Sequence, residues 1–216
     1  MGQSERAQEI VSRYVGHYLR EAIQVSTHLT PSSPTGLDAL GLPTLWDHVP
    51  TAWRRANGED PGWPRPEGMV RWICDFPAYG KPLLATILSR SEHRAWLEQA
   101  IEAAVAMDDI GAASAHLTAF GRICTVLGDH GAALAACQRK VSIARETGAL
   151  DVAGEGLMHL GTLHRDLGEA QRAEESWQIA LALFQQIGDE RAERVRSLLD
   201  ELQGGSPDHL GFDAED

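Results

Sequence analysis

Cysteine is scarce in this 216-residue chain: Cys74, Cys124 and Cys137 are the whole set, with no C-x-x-C pair. An odd, sparse set like this supports neither a disulfide framework nor a zinc knuckle. Basic residues are in deficit too, 19 against 31 acidic, for a net charge of −12. A nucleic-acid footprint needs a concentration of positive charge, so no nucleic-acid partner is expected. No apolar run approaches the roughly 18 residues of a bilayer span, and MGQSERAQEIVSRYV places charge where a signal peptide needs an apolar core. The expectation is a cytoplasmic protein with no membrane partner.

Catalytic signatures are missing as well. HExxH is absent. So are G-x-S-x-G and a kinase-like set. YGKP at Tyr79–Pro82 has a Gly-Lys but lacks the first glycine and the Ser/Thr of a P-loop, so it cannot cradle phosphates that way. The nine histidines form no recognisable ligand set; His159 and His164, five apart, fall on different helix faces. Asp108/Asp109 and Glu174/Glu175 are adjacent in sequence and read as solvated charge. We expect no catalytic residue, no metal and no cofactor.

What the chain does have is helical periodicity. Over 4–28, Ile10, Val11, Tyr14, Val15, Tyr18, Leu19, Ala22 and Ile23 fall at three- and four-residue spacing, with Ser4 placed to cap. Seven of the ten prolines then crowd 31–66. Proline disfavours helix in the residue before it, so LTPSSPTG and GEDPGWPRPEG are loops. Between them TLWDHVPTAWRRAN predicts a short helix or two with Pro50 at a helix start. Its tryptophans, with Trp63, predict an irregular strap packed across the helices. Residues 68–90 read as two short helices divided near Pro77 and Gly80. From Ser91 a capping signal opens a helix with Trp96, Leu97, Ala100, Ile101, Ala104 and Val105 on one face. The final 204–216 lacks apolar density and reads as a disordered acidic tail.

The strongest signal is an internal repeat. Residues 111–150 lie over 151–190 without a gap: Ala113/Ala153, Leu117/Leu157, Gly121/Gly161, Leu127/Leu167, Gly128/Gly168, Ala133/Ala173, Gln138/Gln178 and Gly148/Gly188 are identical. Each unit is helix, tight Leu-Gly turn, helix. Gly128 and Gly168 suit the left-handed backbone that ends a helix. Small residues at 121/161 and 133/173 let the paired helices approach. One hairpin cannot cover its own apolar face, so neighbours must stack. Residues 91–107 fit a preceding second helix, and 191–203 a terminal capping helix. Three segments are therefore expected: 1–90 as N-terminal helix, strap and short helices; 91–203 as repeats; 204–216 as tail. The fold class is all-α.

The pattern LxxxGxxxxxLGxxxxA, present as LTAFGRICTVLGDHGAA and LMHLGTLHRDLGEAQRA and followed by Trp177, Ala180 and Leu181, resembles the tetratricopeptide repeat (TPR) family. The forty-residue period is similar to the repeats of actinobacterial NB-ARC/STAND regulators. Lys140, where the family places alanine, and His93, where it places a small residue, depart from the pattern. The resemblance implies antiparallel hairpins stacked as a short right-handed superhelix. It also implies that the first helices of successive hairpins line a concave groove for a protein or peptide. By matched position these residues are Ala115, Thr118, Arg122 and Thr125, then Glu155, Met158, Thr162 and Arg165. Arg122 and Arg165 stand out because a guanidinium grips a carboxylate bidentately.

Cys124 and Cys137 fall where the helices of a hairpin touch, with His164 and Trp177 as their counterparts. They read either as a redox pair and a histidine site or as buried thiols and a core histidine. The primary functional expectation is a non-catalytic regulatory scaffold. The alternative is a small-molecule sensor or enzyme with a pocket between the tryptophan-rich segment and the helices, motivated by Trp46, Trp53, Trp63, Trp72, Arg54, Arg55 and Asp75. Exposed ends of a short array also allow a homo-oligomer.

Overall fold

The computed structural model describes residues 3–28, 42–59, 68–79, 84 and 88–204. Among these residues all regular structure is helical: α1 (Gln3–His28), α2 (Leu42–Asn57), α3 (Val70–Tyr79), α4 (Arg90–Ala106), α5 (Ile110–Val126), α6 (His130–Thr147), α7 (Leu150–Asp166), α8 (Ala170–Ile187) and α9 (Arg191–Gly204). The chain forms two compact units, Met1–Ile123 and Cys124–Asp216. The side chains of Ser4 and Trp46, all of Trp63, and the tail 205–216 lie outside the described residues.

In the first unit α1 packs on α2 and α3, α2 on α3, and α3 on α4. The α1 stripe buries Val11, Val15, Leu19 and Ala22 completely, with Tyr14, Tyr18 and Ile23 beside them. Ile10, at the edge of that arc, is instead 58% exposed. The described part of the proline-rich segment is more regular than its composition suggests. Pro50 lies inside α2, a continuous 16-residue helix, rather than at a helix start. An interior proline costs about 3 kcal/mol, and burial of the side chains around it offsets that cost. Val49, Ala52, Trp53 and Ala56 are all buried. Trp53 stacks on Trp96 with ring centroids 4.5 Å apart, and its Nε1 donates to Gln99 Oε1 at 2.6 Å. Pro77 sits within α3, which ends at Tyr79; Gly80 lies outside the described residues. The cap of α4 is Ser89, two residues before the expected start: it forms a reciprocal capping box with Glu92. On α4 Trp96, Leu97, Ala100, Ile101 and Ala104 are buried, whereas Val105 is exposed.

In the second unit α6 packs on α7, α7 on α8 and α8 on α9. The turn glycines behave as their spacing predicts: Gly128 and Gly168 both have φ of 77°. The small residues also serve close packing. Ala173 is fully buried, and Gly161 lies directly beneath the indole of Trp177. Trp177, Ala180, Phe184, Leu157 and Met158 form one core with Val195 and Leu199 of α9. The other face of α9 exposes Arg194, Arg196, Ser197, Asp200 and Glu201, so this helix closes the stack with a polar surface.

Candidate functional site

Helix α7 carries four of the residues that the repeat register assigns to a partner surface. One side of it is committed to packing, with Ala153, Gly154, Gly156, Leu157 and Gly161 all buried. Glu155, Met158, Thr162 and Arg165 follow one another at helical spacing. Their environments differ. Met158 is buried in the core, and its carbonyl accepts the Trp177 indole N–H at 3.0 Å. Thr162 is half-buried and donates its hydroxyl to the Met158 carbonyl at 3.0 Å. Arg165 is exposed; its guanidinium donates to Asp166 Oδ1 at 2.9 and 3.1 Å and lies 5.7 Å over the Trp177 ring. Thr125 is half-buried near the end of α5. Arg122, exposed, and Thr118, whose hydroxyl donates to the Ser114 carbonyl, are on the part of α5 that belongs to the first unit; so is exposed Ala115.

Glu155 has an internal role that its repeat position did not foretell. Its Oε1 lies 3.0 Å from Lys140 Nζ, and its Oε2 lies 3.8 Å from Arg191 Nη1. Lys140 is 2% exposed. Burial pushes the Lys140 ammonium below its ordinary range, and the hydrogen bond and charge of Glu155 oppose that shift. Arg191 is fixed in turn by Asp189, with contacts of 2.9 and 2.6 Å, and covers the Phe184 ring at 4.6 Å. The paired guanidinium holds the Asp189 carboxyl down to about 2. Three helices, α6, α7 and the start of α9, are thus joined through one carboxylate.

The other marked positions resolve as packing groups. All three cysteines are free thiols and buried. Burial pushes the Cys137 thiol up to about 11, which leaves little thiolate near neutral pH. His164 is buried, and its Nδ1–H donates to Glu169 Oε2 at 2.5 Å, joining the end of α7 to the turn before α8. Arg172 also reaches Glu169, at 3.1 Å, and the Glu169 carboxyl is held low chiefly by the His164 hydrogen bond. Among the described residues no group of three or more His, Cys, Asp or Glu side chains could hold a metal ion. No described helix is long and apolar enough to cross a membrane. One surface feature had no sequence signal: a groove of about 340 Å3 between α6 and α7, floored by Val141, Leu157 and Leu160 and edged by Ser142, Arg145 and Glu146.

No family model matches the sequence, and none of the curated proteins compared with it is similar. Solved structures do match. RapI in its apo form is similar over 74% of this chain at 11% identity and a TM-score of 0.55. BtubC from P. vanneervenii covers the whole chain at 13% identity and a TM-score of 0.42, against 96% of its own length. The designed helical repeat protein DHR64 covers 94% at 22% identity and a TM-score of 0.33, against 96% of its length. The chain spans 57% of the length of RapI. At these identities the likeness speaks to fold alone, and the fold it supports is an all-α helical repeat.

Proposed function

We propose that this chain is a non-catalytic scaffold that binds a protein or peptide through the polar side of α7, with Thr162 and Arg165 as contact residues and Thr125 and Glu155 flanking them. The observation that carries the reading is the exposed guanidinium of Arg165 at the end of α7, held over the ring of the core residue Trp177. Arg165 is engaged only by its sequence neighbour Asp166 and by that ring among the contacts described above, so a partner carboxylate can replace Asp166 at small cost. Exposed ion pairs contribute only about 0–1 kcal/mol. Met158, being buried, supports the surface from beneath. The forty-residue period supports a place in a regulatory system, as in the regulators it resembles.

The test is affinity capture with the full chain, followed by quantitative comparison of Arg165→Glu with Arg194→Glu. Loss of a captured partner in Arg165→Glu alone is the expected result. Equal capture by both variants removes α7 as the binding surface. Arg122→Glu, in the first unit, is measured separately. Of the tryptophans in the N-terminal segment, Trp53 stacks on Trp96 and Trp72 lies under Arg20 at 5.7 Å.

A further inference from the structure

The outer seam of α1 and α2 differs in chemistry from the aliphatic interface beneath it. The Tyr14 hydroxyl and His48 Nδ1 share a hydrogen bond of 2.9 Å, and the Arg55 guanidinium lies 4.6 Å over the Tyr14 ring. Tyr18 stacks on His48, centroids 4.3 Å apart and planes 19° from parallel, and His17 meets the edge of Tyr18 at 4.9 Å. Tyr14, Tyr18, His48 and Arg55 are all half-buried, so each keeps part of its surface accessible to solvent. A seam between two helices normally closes with aliphatic side chains. Half-exposed tyrosine, histidine and arginine, stacked on one another, have the composition of a protein-binding surface.

Beside this seam α1 presents a row of arginines with His17 between them. Arg6, Arg13, His17 and Arg20 are exposed at three- to seven-residue spacing, with Ile10 among them. Arg54 is exposed on α2. The acidic residues nearby are Glu5, Glu9 and Glu21 on α1 and Asp47 on α2, and Glu9 is taken up by Arg13 at 2.6 Å. These two helices carry five arginines against four carboxylates, within a chain whose net charge is −12.

We propose that the α1–α2 seam is a docking surface for an acidic peptide segment that carries an aliphatic or aromatic side chain. The arginines meet its carboxylates, and the apolar side chain covers Ile10 and the accessible parts of Tyr14 and Tyr18. The chemistry of both parts is required. Charge alone steers encounter and is screened by salt, while planar side chains hold the complex once formed. This surface is independent of the α7 surface proposed above.

The experiment is fluorescence anisotropy on the full-length protein with a short labelled peptide rich in Asp and Glu and bearing one Phe. Three probes accompany it: the same peptide with Asn and Gln for the acids, the acidic peptide with Gly for Phe, and a single-stranded oligonucleotide of equal charge. The expected result is saturable binding of the first peptide and at least tenfold weaker binding of all three others. Arg20→Glu/Arg54→Glu should weaken the complex at least tenfold, and Arg194→Glu/Arg196→Glu on α9 should leave it within twofold. Circular dichroism melts establish that both variants are folded. Absence of binding, equal loss in both double variants, or equal affinity for the oligonucleotide overturns the proposal. Capture lost in Arg165→Glu with peptide affinity unchanged in that variant keeps the two surfaces distinct.

Discussion

Gly161→Ala is a sharp test of the packing in the second hairpin. Gly161 is helical, so alanine suits the backbone, and in open space it would gain about 1 kcal/mol of helix propensity. The space is not open. A Cβ built at Gly161 lies 2.5 Å from both Trp177 Cδ1 and Nε1, and 2.9 Å from Cγ. Carbon contacts settle at roughly 3.5–4.0 Å, so the indole must move by about an ångström. Trp177 is 0% exposed, and its N–H is bonded to the Met158 carbonyl at 3.0 Å. Moving it therefore combines overpacking, about 1–3 kcal/mol, with a strained or lost buried hydrogen bond, about 1–3 kcal/mol. Set against the propensity gain, the net loss is roughly 1–5 kcal/mol. At about 2–4 °C per kcal/mol for a chain of this size, Tm should fall on the order of 2–20 °C. Far-ultraviolet circular dichroism melts measure it. Trp177→Phe in the same background should cost less than its effect alone, because the two positions are in contact. An unchanged or raised Tm for Gly161→Ala would refute the close approach of α7 and α8 at this point.

Two further outcomes follow from the buried ionisable groups. Glu155→Gln leaves the Lys140 ammonium buried without its carboxylate and should cost about 3 kcal/mol in urea denaturation, whereas Lys140→Met should be near neutral; equal losses would show that the pair is not the coupling between α6 and α7. His116, 2% exposed, donates Nε2–H to the Cys74 carbonyl at 2.7 Å, and burial holds its pKa below the ordinary value despite Asp75 and Asp109 nearby. The unfolded chain therefore binds a proton that the folded chain resists. Stability from this group is complete above about pH 6.5 and is lost as pH falls from there toward the lowered folded value. Stability measured against pH should show that slope in the parent and lose it in His116→Gln, and an unchanged slope in the variant would assign the effect elsewhere.

Much of the second unit was legible because a repeat states its packing twice. The left-handed turn glycines, the buried Ala173 and the Gly161 approach all follow from small residues recurring at one register. The first unit has no such redundancy. Trp53 and Trp96 stack across 43 positions of sequence, and no periodicity relates them. Composition likewise mistook α2, because a proline count carries no information about how completely the neighbouring face is buried. The cap at Ser89 rather than Ser91 is a smaller case of the same kind. Both serines precede acidic residues, but only Ser89 has Glu92 three positions on, and their hydroxyls lie 3.1 Å apart.

Lys140 shows where a repeat stops being informative and why. Its departure from the alanine of the pattern marked the position, yet its meaning depended on Glu155, which lies on the next hairpin. Moving forty residues on, Lys140 becomes Ala180 and Glu155 becomes Val195. Both are completely buried in one core cluster of the second unit. The same place between successive layers is therefore filled once by an ion pair and once by two small apolar groups. Apolar filling is often as stable as a buried ion pair, so the charges at 140 and 155 are not required for stacking as such. What they add is a demand for one particular partner. A neighbour with an apolar residue like Val195 at that place would leave the buried Lys140 ammonium without the Glu155 carboxylate, so an exchange of hairpins carries a cost that the Ala180–Val195 layer does not impose.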